Sequence, residues 1–259
     1  PVLRAENSAM STQAVYLDEL FLSVQGEAAQ SGRAHLFARL SGCPLRCFYC
    51  DTPRSWVRRE FCEVQFPNGE VKRWLNPVSL ETFQQGWEEL LQAYGCKQVV
   101  LAITGGEPLE QTEFLEIALR QWPDESMLET AGVFPERLQQ LLPALSSVSL
   151  DWKLSSTLKE PADCLAPLAC LEILQQSATP FWVKLVYLPD TPSQEISEAL
   201  SQISHAAPGC QVWLQPATAI APNRAPIDGK RMLKLLLDHS HYPLELRAQP
   251  QGHPFWGIQ

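Results

Sequence analysis

The sequence predicts an α/β domain built on a mostly parallel sheet. Three observations carry that prediction. Short apolar runs alternate with amphipathic stretches from residue 36 onward, and strands separated in this way are joined by helical crossovers, which makes them parallel. Several amphipathic stretches open on a cap or a first-turn proline, as in "NPVSLETF" and "TPSQEISEAL". No internal repeat, low-complexity tract or linker breaks the pattern, so the 259 residues, 45% of them apolar, read as one domain with its own core.

In order, the predicted strands are "HLFARL" (35–40), "QVVLAIT" (98–104), "SMLET" (126–130), "SVSLDW" (147–152), "FWVKLVYL" (181–188) and "QVWLQP" (211–216). Each is a short apolar run of strand length. Predicted helices cover 79–94, 110–121, 135–142, 164–177, 192–204 and 228–239, and "PLELRAQ" near the end is a seventh extended segment. "EVQFPNGEVKRW" departs from the rhythm: its Asn-Gly pair between two strand-like arms predicts a hairpin, read as an insertion over 62–76.

The net charge of −9 argues against a direct nucleic-acid binder. No apolar run approaches the length of a membrane helix. Residues 1–15 read as an N-terminal tail, with Met10 as a natural start, and no secretory stretch precedes it. A cytoplasmic protein with reduced, mostly buried thiols at Cys62, Cys96, Cys164, Cys170 and Cys210 is therefore expected.

Three further cysteines are concentrated in "SGCPLRCFYCDT", spaced Cys43-x3-Cys47-x2-Cys50. Three thiolates suit a cubane of four irons with one iron left open for a ligand. The spacing also admits a structural zinc site, completed by Cys62 or by His35. Downstream, "AITGGEPLEQ" places Gly-Gly-Glu-Pro at the end of a predicted strand, where two glycines let backbone approach a ligand closely. "LETAGV", "SLDWKLS" and "LQPAT" close three more strands at the same edge, the face where parallel α/β proteins bind ligands.

The cysteine triplet followed by Gly-Gly-Glu-Pro resembles the radical S-adenosylmethionine superfamily. "LFLSVQGEAAQSGRAHLFARLSGC", "CDTPRSW" and the closing "QGHPFWGIQ" are similar to the 7-carboxy-7-deazaguanine synthases of queuosine biosynthesis, a tRNA modification pathway. The likeness runs over nearly the whole chain, the hairpin being the main extra piece. It implies a partial (β/α)6 TIM-like barrel and a lyase converting 6-carboxy-5,6,7,8-tetrahydropterin to 7-carboxy-7-deazaguanine with loss of ammonia. A [4Fe-4S] cluster, S-adenosylmethionine and Mg2+ would be the cofactors, a flavodoxin-like protein the electron donor, and a homodimer the assembly. Another radical enzyme, such as a glycyl-radical activase, shares the cluster spacing but would not need the Gln-Gly-Glu, Arg39 or closing segments.

By position, the resemblance implies that Cys43, Cys47 and Cys50 hold the cluster and that Thr52 ligates Mg2+, with Asp51 orienting it. Val24, Gln25, Gly26, Glu27, Arg39, Thr104 and the terminal carboxylate of Gln259 would contact the pterin. Gly106, Glu129, Asp151, Trp152, Lys153, Gln215, Pro216, Ala217 and Thr218 would hold S-adenosylmethionine. The chain departs from the family at Ala28, where glycine is usual, at Gly32-Arg33-Ala34 in place of Gly-x-Pro, and at Gln259, where proline is common. From the residues alone, six arginines (33, 39, 46, 54, 58, 59) against one acid, Asp51, predict a basic collar of net +5 around the cysteine loop, a docking face for an acidic donor.

Overall fold

The computed structural model describes residues 13–162, 165–218 and 227–258. The chain opens with β1 (Ala14–Val15) and β2 (Leu17–Val24), then β3 (Ala34–Leu40), β4 (Phe61–Gln65), β5 (Val71–Leu75) and β6 (Val78–Ser79). Alternation follows: α1 (Leu80–Ala93), β7 (Val100–Gly105), α2 (Thr112–Leu119), β8 (Ser126–Thr130), α3 (Pro135–Leu141), β9 (Ser147–Trp152), α4 (Leu165–Gln176), β10 (Phe181–Tyr187), α5 (Ser193–Ala206), β11 (Gln211–Pro216), α6 (Gly229–Asp238), β12 (Glu245–Ala248) and α7 (His253–Trp256). The predicted strands and helices fall where the apolar periodicity placed them. Of the predicted tail, Ala14 and Val15 are strand, paired with β6.

Among the described residues, ten strands form one sheet in the order β12-β11-β10-β9-β8-β7-β3-β2-β4-β5. From β12 to β3 every pair is parallel. Beyond β3 the sheet turns antiparallel through β2, and β4 and β5 make the hairpin expected over 62–76. That hairpin lies on α1 through Trp74, whose ring meets Gly86, and through Lys72 paired with Glu89 at 2.9 Å.

Strand alternation divides the apolar side chains into two sets. Leu36, Leu101, Leu128, Leu150, Val183 and Leu214 pack outward against the helices in the main core. Phe21, Phe37, Ala102, Met127, Trp182 and Trp213 fill the inside of the curved sheet. Above this aromatic floor, toward the C-terminal ends of the parallel strands, the inward positions become polar, and the cleft opens there. No helix of the described residues is long and apolar enough to cross a membrane.

Candidate active site

Cys43, Cys47 and Cys50 follow β3 on an irregular loop and line one cleft of about 190 Å³. The loop is pinned by its backbone: Gly42 N–H donates to Ser55 C=O at 2.8 Å, Cys43 N–H to Trp56 C=O at 3.2 Å, and Phe48 N–H to Thr157 C=O at 2.9 Å. Arg46 donates to the carbonyls of Cys43 and Leu45 at 2.7 and 2.8 Å. Burial pushes the Cys43 thiol up to about 12 and also raises Cys50, so ionisation of these thiols depends on a metal.

Both candidate fourth ligands for zinc lie elsewhere. Cys62 is in the core on β4 and His35 is fully buried on β3. No three Cys, His, Asp or Glu side chains among the described residues converge on a single ion. A cubane, with one thiolate per iron, does not require that they should. The donor set therefore fits a cluster with one open iron. Of the other thiols, Cys62, Cys170 and Cys210 are buried and Cys96 is half-buried, while Cys164 lies outside the described residues.

The Gly-Gly-Glu-Pro turn abuts the cysteine loop. Gly106 N–H donates to Leu40 C=O at 2.8 Å and Glu107 N–H to Gly42 C=O at 2.7 Å. A Cβ on Gly106 would sit 2.0 Å from the Gly42 carbonyl oxygen, so only glycine allows this approach. The Glu107 carboxylate accepts from Leu109 N–H (3.0 Å), Thr130 Oγ1 (2.7 Å) and Ala131 N–H (2.9 Å), joining the turn to the end of β8. Burial raises its pKa to about 7 despite those hydrogen bonds.

Across the cleft runs a row of buried charges. Lys184 pairs with Glu27 and with Asp151, the latter at 3.0 Å, and Lys153 pairs with Asp151 at 2.9 Å. Glu129 accepts from Gln25 Nε2 at 2.9 Å and from Thr104 Oγ1 at 2.6 Å. Burial raises the Glu129 pKa. For Glu27 burial acts the same way, but the charge and hydrogen bond of Lys184, with the Gln251 hydrogen bond, outweigh it and hold the pKa at about 2. The C-terminal segment covers this side: Gln251 Nε2 donates to Glu27 at 2.6 Å, and Gly252 N–H donates to Gly26 C=O at 2.8 Å.

The cleft brings together Val24, Gln25, Gly26, Glu27, Arg39, the three cysteines, Thr52, Thr104, Gly106, Glu129, Asp151, Lys153, Gln215, Ala217 and Thr218. Two expected residues turn away. Side chains alternate along a strand, so with Asp151 and Gln215 facing inward, Trp152 and Pro216 point to the opposite side; Trp152 lines a separate small cavity with Leu154 and Pro167. Gln259 lies outside the described residues. Sequence reasoning gave no site role to Lys184, Trp56, Gln251 and His253, which line the cleft together with Tyr49. For Lys184 there was a signal, a lone cation inside the apolar strand "FWVKLVYL".

The basic collar is corrected. Arg54 and Arg59 pair with the buried Asp18 at 2.8 and 3.3 Å, Arg54 also with Glu19, Arg39 with Glu19 at 3.1 Å, and Arg33 with Glu125 at 2.9 Å. These acids lie outside the window in which charge was counted, and the arginines tether the loop after the cysteines to β2. Arg58 stacks over Tyr16 at 4.7 Å. The departure at Ala28 is explained by its backbone: φ is +50°, a left-handed conformation that glycine adopts without strain.

A curved, mostly parallel sheet with a three-cysteine loop at its C-terminal edge, locked to a Gly-Gly-Glu-Pro turn, defines a radical S-adenosylmethionine-type enzyme. Solved structures share this fold: QueE from Escherichia coli (TM-score 0.55, 18% identity, 96% of this chain and 100% of that chain) and Streptococcus suis SuiB bound to S-adenosylmethionine (TM-score 0.54, 13% identity, 80% and 48%). No family model matches the chain. Among curated proteins, the 7-carboxy-7-deazaguanine synthase of Methanopyrus kandleri is 32% identical over 209 residues, 77% of this chain and 80% of its own. That of Geobacter sulfurreducens is 30% identical over 265 residues, 96% of this chain and 99% of its own. The chain belongs to the 7-carboxy-7-deazaguanine synthase family.

Proposed function

We propose that the cleft converts 6-carboxy-5,6,7,8-tetrahydropterin to 7-carboxy-7-deazaguanine, releasing ammonia, as a single-domain cytoplasmic enzyme. The observation that carries the reading is the convergence of three thiols, the Gly106 turn and the buried charge row on one cleft. Cys43, Cys47 and Cys50 would hold a [4Fe-4S] cluster, which with bound S-adenosylmethionine would supply one-electron radical chemistry.

The chain's own residues position and exclude. Gly106, Asp151, Lys153, Gln215, Ala217 and Thr218 line the S-adenosylmethionine side, and the buried Thr218 hydroxyl, without a hydrogen-bond partner among the described residues, is a donor ready for it. Val24, Gln25, Gly26 and Glu27 face the pterin, and Thr104 supports Glu129. Arg39, oriented through its Nε by Glu19, presents the rest of its guanidinium to the substrate carboxylate. Thr52, whose hydroxyl lies 3.4 Å from Asp51 Oδ1, would supply an oxygen ligand to Mg2+. The closing segment with Gln251 and His253 keeps water out.

A flavodoxin-type donor reaches the cluster at the face carrying exposed Phe48 with Arg46 and Lys159, and the working unit is a homodimer. Anaerobic reconstitution with iron and sulfide tests the site. The enzyme should gain a brown chromophore and cleave S-adenosylmethionine at a rate that falls as salt slows reduction by flavodoxin, and Cys47→Ala should do neither. A colourless wild-type protein would overturn the reading.

A further inference from the structure

Lys184 belongs to none of the motifs that define the site, yet its ammonium touches two of the site's carboxylates. It sits mid-strand on β10, its side chain only 7% exposed, bridging Glu27 and Asp151. Asp151 has a second cation in Lys153, at 2.9 Å. Glu27 has Lys184 and, besides it, the uncharged Gln251 amide. The remaining carboxylate of the row, Glu129, is held by Gln25 and Thr104, both uncharged. Two lysines thus face three acids, and geometry decides which acid goes without a cation.

We propose that Lys184 is a positioning residue that keeps Glu27 ionised, so that a fixed carboxylate accepts hydrogen bonds from the amino-pyrimidinone edge of the substrate. The proposal rests on the substrate reading above. A buried carboxylate without its cation takes a proton rather than stay charged, and a protonated Glu27 would turn an acceptor toward ring N–H groups into a partial donor. The other groups around Glu27 do not replace Lys184. Lys153 is engaged with Asp151, Arg39 on β3 is engaged with Glu19, and Glu129 on β8 and Asp51 on the cysteine loop carry the same sign as Glu27. His253, at the start of α7, adds an electrostatic contribution below that of Lys184.

The test is substrate affinity of the reconstituted holoenzyme with S-adenosylmethionine and no reductant, measured calorimetrically with 6-carboxytetrahydropterin between about pH 5 and pH 8. For Lys184→Met, the Kd relative to wild type should grow as pH falls, by roughly tenfold per pH unit below the new Glu27 pKa. Lys184→Arg should keep the ratio flat, and the double variant Lys184→Met/Glu27→Gln should lose the pH dependence. Lys184→Gln gives the same expectation if the methionine variant does not fold. A Kd ratio that is raised but independent of pH marks a merely structural lysine and overturns the proposal. A wild-type enzyme that does not bind the pterin at any pH overturns the substrate reading instead, and the proposal with it.

Discussion

His35 is a buried residue whose two ring nitrogens lack hydrogen-bond partners among the described residues. Burial, with a smaller contribution from Arg33, lowers its pKa from 6.5 to about 4. The folded chain therefore holds it neutral while the unfolded chain protonates it below about 6.5. Between those values the unfolded state binds more protons, so stability falls as pH drops through the window and levels off below it. Replacing the ring by an apolar one should remove this loss. His35→Phe is expected to be about as stable as wild type near neutral pH and to gain on it by roughly 1.4 kcal/mol per pH unit down the window. Urea unfolding at two pH values measures this, and parallel losses in the two proteins would contradict the assignment. Lys184 teaches the complementary lesson. Its type stood out in the sequence, but which acids it would meet depended on strands β9 and β10 lying in register, which periodicity does not specify.

The elements most legible in sequence are those whose periodicity matched their burial. The strands β8, β9 and β11 sit where the apolar runs end, and the Asn-Gly pair placed the β4–β5 turn correctly. Strand β2 escaped because Asp18 and Glu19 interrupt its apolar pattern, although both are buried and serve as anchors for Arg54, Arg59 and Arg39. The same two acids pair with three of the six collar arginines, so one hidden element accounts for much of both errors. The Gly-Gly-Glu-Pro turn was found, and the fold adds that it also holds the cysteine loop, through Glu107 N–H to Gly42 C=O. Gly106→Ala should push the turn off Gly42, since a Cβ there meets backbone and not a mobile side chain. Overpacking of this kind costs about 1–3 kcal/mol. Reconstituted Gly106→Ala should retain well under half the iron of wild type by metal analysis. Full iron content would show that the loop holds its shape without the turn.

At the scale of the molecule, the sheet separates two environments by alternation alone. One face buries leucines and valines against the helices, and the other stacks aromatics under a polar cleft. The order of motifs along the chain revealed the site because each motif ends a parallel strand, and parallel strands present their C-terminal ends together. The closing segment could be read as relevant, but its docking on Gly26 and Glu27 joins residues more than two hundred positions apart. That contact follows from the finished fold, not from local pattern.

Three thiols and a buried charge row share one cleft, and the proposed reaction there is a radical ring contraction. Anaerobic turnover with 6-carboxytetrahydropterin, S-adenosylmethionine, reduced flavodoxin and Mg2+ tests it most directly, with the deazapurine product followed by its absorbance. The proposed function predicts product and ammonia in equal amounts, with S-adenosylmethionine regenerated and the rate reduced when Mg2+ is withheld or Thr52 is replaced by alanine. S-adenosylmethionine cleavage that proceeds with no deazapurine formed would contradict it.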